Sequence, residues 1–236
     1  DFGKRMEFLI DYPYGCLEQT TSSAFPQLYL ADVFDITFDK KQKIEKNIKA
    51  AIERLGRFQT ANGGLAYWPG EREADEWATN YAGHFMLEAK QKGYALPISF
   101  MSNWLLYQQN KARQWRNSYK VYNTSLTQAY RLYTLALAGK PELAAMNRLR
   151  ESKELSNDAK WRLAAAYALA GKKEVAQQIA QTANINFVPQ KYDYYTYGSP
   201  FRNRAMALET LVLLGDSKQR DLAISVAKDL SSQRWY

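Results

Sequence analysis

Apolar residues that return every three or four positions commit most of this chain to helix. Ile44, Ile48, Ile52 and Leu55 form one stripe in a background rich in lysine and glutamate, so a helix there buries one face and solvates the other. The same periodicity predicts helices over 17–33, 77–92, 97–112, 124–138, 141–151, 157–170, 173–183, 201–214 and 217–232. No convincing run of alternating residues competes for strand. Pro26 lies inside the first segment and predicts a kink or break just before it.

Three segments close alike, with an apolar turn followed by glycine at Gly139, Gly171 and Gly215. Glycine takes the left-handed cap at little cost, so each marks a helix end. The first two are 32 residues apart and the last two 44, which describes loose helical hairpins and not a module of fixed length. Stacked pairs follow; periodicity leaves open whether they form a solenoid or close into a ring. Two stretches interrupt the helices: Asn62 to Gly70, a glycine-bounded loop carrying Tyr67 and Trp68, and Gln190 to Pro200, with Tyr192, Tyr194, Tyr195 and Tyr197. Rings in such loops are expected to be buried against something.

At 236 residues the chain fits one domain, or two small ones, with a substantial core, and one is expected. Its 32 basic and 24 acidic residues leave a net charge of +8, which would favour acidic partners, yet the charges are spread along helix faces and no arginine-rich arm or RNA-binding signature appears. No nucleic-acid partner is expected. One cysteine and one histidine are too few for a Cys/His-rich zinc site, and neither a metal nor a cofactor is assigned. No apolar run is long enough to span a bilayer, and any targeting information is expected to lie outside these residues.

The single thiol, Cys16, stands three residues before Gln19 in Tyr12-Pro13-Tyr14-Gly15-Cys16-Leu17-Glu18-Gln19. Residues three apart on a forming helix share a face, so the sulfur can reach the Gln19 carbonyl. Loss of ammonia would leave an internal thioester, an electrophile that an amine or hydroxyl could open at Gln19 while the Cys16 thiol departs. Pro13 and Gly15 shape a tight turn ahead of the cysteine, and Gly15 permits close backbone approach.

The string from Pro13 to Thr20 resembles the thioester motif of the α2-macroglobulin and complement superfamily, in its bacterial form. Gly63 to Gly70, Trp77 to Phe85 and Tyr197 to Ala205 are similar to further segments of bacterial thioester domains, so the resemblance covers most of the chain. It implies an all-α fold, an α/α toroid of helical hairpins, with 1–236 a single thioester-containing domain and a fragment of a much larger protein. Complete domains of this family run past the point where the chain stops, which leaves the last hairpin open to being absent.

The resemblance also implies a broad-spectrum protease inhibitor. A protease cuts a bait region elsewhere, a conformational change exposes the thioester, and a lysine amine of the trapped protease attacks Gln19. Other domains of the same protein would shield the bond. Cys16 is then the leaving thiol and Gln19 the acyl donor, with Tyr12, Pro13, Tyr14, Gly15, Leu17 and Glu18 positioning or sheltering it. Use of the bond is single, not catalytic turnover. The implied setting is periplasmic, with anchoring to the inner membrane through the rest of the protein.

Other readings use the same residues. A cysteine hydrolase would pair Cys16 with His84, but no orienting third residue stands at a recognisable spacing. His84, 68 residues past Cys16, is also too near to match the histidine through which some thioester relatives acylate hydroxyls, so it is expected to be a packed or hydrogen-bonded helix residue and amines are the expected acceptors. Gln59, Gly63, Gly64 and Trp68 faintly resemble prenyltransferase and terpene-cyclase repeats, which are α/α toroids too; shared architecture does not carry chemistry. A non-covalent scaffold of tetratricopeptide type would suit Trp161 to Gly171 but leaves the cysteine motif unexplained.

Overall fold

The computed structural model describes residues 7–116, 124–152, 155–189 and 193–232. Among them no strand forms; the nearest approach is one antiparallel bridge between Gln59 and Leu65. The helices that build the two halves of the described chain are α1 (Leu17–Ala24), α2 (Leu30–Val33), α3 (Phe38–Gly56), α4 (Glu76–Gln91), α5 (Phe100–Gln114), α6 (Thr124–Leu137), α7 (Leu143–Arg150), α8 (Asn157–Leu169), α9 (Lys173–Gln181), α10 (Pro200–Leu214) and α11 (Lys218–Ser232). The chain divides into two compact units, residues 1–108 and 109–236.

In the first unit the expected stripe of α3 is the buried one: Ile44, Ile48, Ile52 and Leu55 are all inside, joined by Ala51 and by one polar residue, Asn47. Pro26 breaks the first predicted helix as expected. α1 stops at Ala24, and Pro26–Leu28 continues as a 3₁₀ turn before α2, because proline offers no N–H to an α ladder. α1 packs against α3 and α4. Gly83 of α4 lets the fully buried indole of Trp104 approach the helix closely, since a Cβ there would sit 2.2 Å from its Nε1. That nitrogen donates to the Thr79 carbonyl at 3.0 Å.

The glycine loop is a tight hairpin held by its own polar atoms. Thr60 N–H donates to the Gly64 carbonyl and Ala66 N–H to that of Phe58, while the Gln59 amide reaches the carbonyls of Gly63 and Phe100. Thr79 of α4 ties the loop down, accepting from Leu65 N–H at 2.9 Å. Next door, Asp75 accepts from Ala78 N–H at 2.7 Å and caps α4.

In the second unit α8 lies against α6, α9 and α10, which is why seven of its side chains from Trp161 to Tyr167 are buried around the whole helix. Trp161, Ala207, Leu211 and Leu222 form a cluster with Phe187 and Val226 packed on it. Gly139, Gly171 and Gly215 all take the predicted left-handed conformation. In each case the following N–H reaches the carbonyl five residues back, from Lys140 to Leu135, Lys172 to Tyr167 and Asp216 to Leu211. The tyrosine stretch departs from expectation: Tyr194 and Tyr195 stack at 4.2 Å but stay 63% and 55% exposed, each ring covering only part of the other. Gln190 and Tyr192 lie outside the described residues.

Candidate functional site

The motif folds as a turn feeding directly into α1, with Cys16 as the N-cap in extended backbone (φ −70°, ψ 178°). Gln19, at the third helical position, turns its side chain back over the cap. Cys16 N–H donates to Gln19 Oε1 at 3.1 Å; a backbone donor requires the oxygen of the amide at that place. In return the Cys16 side chain faces the Gln19 backbone N–H, completing a capping-box arrangement. Sulfur is a weak acceptor, so the glutamine carries most of that cap. Thiol and carboxamide are thereby held on one helical turn, as their spacing predicts.

Gly15 is what makes this closeness feasible. Its φ is +83°, a region an L side chain rarely enters. A Cβ there would fall 1.9 Å from Gln19 Oε1. The glycine of the motif is thus set by two independent demands, backbone hand and room for the acyl oxygen.

Three anchors fix the turn from outside. Asp11, just upstream, offers its carbonyl to the Gln27 amide at 2.8 Å and the Asn47 amide at 3.0 Å. Tyr67 of the glycine loop accepts from Leu17 N–H at 3.0 Å, meeting one of the N–H groups that a helix start leaves open. Arg54 of α3 donates from Nη2 to the Gly15 carbonyl at 2.6 Å and from Nε to Thr20 Oγ1 at 3.2 Å, and Thr20 Oγ1 donates to the Tyr14 carbonyl at 3.3 Å.

Sequence reasoning missed Arg54 and the Tyr67 carbonyl, and it placed Thr20 in the motif without its bond to the Tyr14 carbonyl. Arg54 reads as one more cation on an amphipathic helix, and a backbone carbonyl carries no residue signature at all.

The other motif residues divide by exposure. Leu17 is fully buried and Pro13 buried, Gly15 half-buried, and Cys16 is only 4% exposed. Gln19 is exposed. Tyr12 and Tyr14 pair with ring centroids 4.6 Å apart and are 39% and 67% exposed, leaving apolar surface on the solvent side of the turn. Glu18 accepts from Ser22 Oγ at 2.7 Å, and Ser22 shares a 3.2 Å hydrogen bond with the Tyr81 hydroxyl. Burial pushes the Tyr81 hydroxyl above its ordinary range.

His84 is the packed residue expected: its Nε2 lies 3.4 Å from Glu88 Oε1 and its ring meets Phe25 edge-on at 5.0 Å. Glu88 is held in turn by the Tyr29 hydroxyl at 2.5 Å. Among the described residues no group of three or more His, Cys, Asp or Glu is gathered as a metal site would require, and no helix is long and apolar enough to cross a membrane.

A sequence profile of the A-macroglobulin TED domain matches residues 3–138. The chain belongs to this family of thioester-containing domains. It is 38% identical over 90 residues to the alpha-2-macroglobulin of Escherichia coli K12, a stretch covering 36% of this chain and 5% of that protein. Among solved structures, Salmonella alpha-2-macroglobulin reacted with methylamine superposes with a TM-score of 0.81 at 27% identity, covering 99% of this chain and 16% of that one. Trypsin-activated Escherichia coli alpha-2-macroglobulin gives 0.77 at 25% identity, covering 95% and 16%. The fold class is therefore the all-α, α/α toroid class of helical hairpins expected from the sequence, and the chain spans only a small part of the length of each relative.

Proposed function

We propose that this chain is the covalent arm of a bacterial broad-spectrum protease inhibitor, carrying a thioester between Cys16 and Gln19. The observation that supports it most is the reciprocal cap: Gln19 folds back so that its acyl group and the Cys16 side chain occupy the same turn. In forming the bond, Cys16 Sγ attacks Gln19 Cδ, the Cδ–Nε2 bond breaks, and ammonia leaves with the thiol proton. In using it, an amine attacks Cδ, the Cδ–Sγ bond breaks, and the thiolate takes up the proton the amine loses. The product is an isopeptide-type link, and the acyl donor is consumed. Such a protein inhibits once and does not turn over.

The whole-protein scheme extends the same reading. A protease would cut a bait segment elsewhere, and the resulting rearrangement would present Gln19 to a lysine of that protease. The methylamine-reacted and trypsin-activated relatives support amine acceptors and protease activation. Exposed Tyr12, Tyr14 and Trp68 supply an apolar rim suited to a covering domain of the same protein, which would exclude water until activation. A periplasmic location, with the full-length protein anchored to the inner membrane, fits a device aimed at foreign proteases.

Intact mass of the full-length protein tests the chemistry. The wild type is expected to weigh one ammonia less than its encoded sequence and to gain one methylamine with release of one thiol. Cys16→Ala should show neither change, and a wild type that takes up no amine overturns the covalent mechanism.

A further inference from the structure

The Gly15–Cys16 peptide group is held at both ends. Its carbonyl accepts from the Arg54 guanidinium at 2.6 Å, and its N–H donates to the Gln19 acyl oxygen at 3.1 Å. A cation on the oxygen of a peptide strengthens the donor at the other end, because hydrogen bonds in series polarise one another. Resting on the thioester reading, we propose that Arg54 is a positioning residue for acyl transfer: through the Gly15–Cys16 peptide it makes the Cys16 N–H a preorganised donor to the oxygen on which negative charge develops.

The carboxamide oxygen of Gln19 stands in here for the acyl oxygen of the thioester. When a nucleophile adds to Cδ, the C=O electron pair moves onto that oxygen and returns as the Cδ–Sγ bond breaks. A donor already aimed at it lowers the barrier without rearrangement.

The geometry around Arg54 favours such a role over a plain staple between α3 and the turn. Its fork takes Gly15 and, through Thr20 Oγ1, also secures the Tyr14 carbonyl, so two consecutive peptide groups of the turn are fixed in orientation. Gly15 has no side chain to keep the acyl oxygen off this peptide. Arg54 is half-buried and Thr20 fully buried, which limits competition from water at the guanidinium end.

The test compares wild type, Arg54→Gln and Arg54→Lys in the full-length protein, with exposed Arg57→Gln as a control for lost charge. Three quantities are read: the fraction lacking ammonia by intact mass, the rate at which methylamine releases thiol from that fraction, and the infrared stretch of the thioester carbonyl. Direct removal of an oxyanion donor costs about 10²–10³ in rate; a cation acting one peptide away is expected to account for about tenfold.

Arg54→Gln should therefore react about tenfold more slowly per thioester formed, with its carbonyl stretch moved to higher wavenumber. Arg54→Lys should recover part of both, and Arg57→Gln should match wild type. If Arg54→Gln folds without closing the thioester, rate and stretch are read on Arg54→Lys, which should fall between wild type and no reaction. A closed thioester in either Arg54 variant with wild-type rate and stretch overturns the role of Arg54 alone. A wild type that never loses ammonia overturns the thioester reading together with it.

Discussion

Each of the two units contains a guanidinium engaged with buried groups, and the contrast between them separates one that holds a backbone turn from one that ties helices together. Arg54 gives its hydrogen bonds to a backbone carbonyl and a hydroxyl and lies 5.7 Å from the centroid of the Phe58 ring. Arg162 donates to Glu209 at 2.5 Å and lies over the rings of Tyr133 and Tyr130, 4.2 and 5.2 Å from their centroids. Tyr133 donates to the other oxygen of Glu209 at 2.5 Å. Burial, followed by the neighbouring Glu209 carboxylate, pushes the Tyr133 hydroxyl far above its ordinary range, so it stays a donor. Charge in the second network is neutralised within it and ties α6, α8 and α10 together. In the first it is directed at a peptide carbonyl beside the Cys16–Gln19 cap.

That contrast predicts opposite consequences for substitutions. Gly15→Ala should have the largest effect on chemistry. The closest clash is with the end of the Gln19 side chain, which can swing away, so the fold survives with a loss of about 1–2 kcal/mol from the left-handed backbone. The reciprocal cap does not survive, and methylamine uptake by intact mass should nearly vanish. Retention of wild-type uptake would break the link between Gly15 and the acyl oxygen.

Glu209→Ala should do the reverse. Breaking a fully buried pair costs about 3–5 kcal/mol; with the Glu209 side chain 37% exposed, about 2 kcal/mol is expected in urea unfolding. Methylamine reactivity of the folded protein should not change, and a large loss of reactivity would show that the two networks are not separable in role.

The smallest effect is expected at the paired tyrosines. Tyr12→Ala or Tyr14→Ala should speed inactivation by small amines about threefold, some 0.7 kcal/mol of barrier, because each ring leaves much of its surface in solvent. Thiol release followed over time measures it, and an unchanged rate in both variants would assign the shielding to other groups.

Much of the scaffold was legible because its causes are local. The α3 stripe, the break at Pro26 and the three glycine ends depend on residues within a few positions of one another. A fourth left-handed end, Gly93 after α4, has the same Tyr94-to-Ala89 hydrogen bond but follows Lys92 and not an apolar turn, so it escaped notice. Asn47 was hidden in a stripe of isoleucines, since the carbonyl it satisfies, Asp11, is 36 residues away. The exposed Tyr194 and Tyr195 show the limit of assuming that rings in a loop must be covered.

By itself the sequence determined the helices and the Cys16–Gln19 spacing. A period near 3.6 and a spacing of three residues fix which side chains share a face, whatever surrounds them. Tertiary structure alone decided what holds the pair in place. Arg54 comes to Gly15 from 39 positions along the chain and Tyr67 to Leu17 from another loop, and both contacts end on backbone atoms that every residue possesses. Such partners leave no mark in the order of residues; only the packing of α1 against α3 and α4 brings them to the turn.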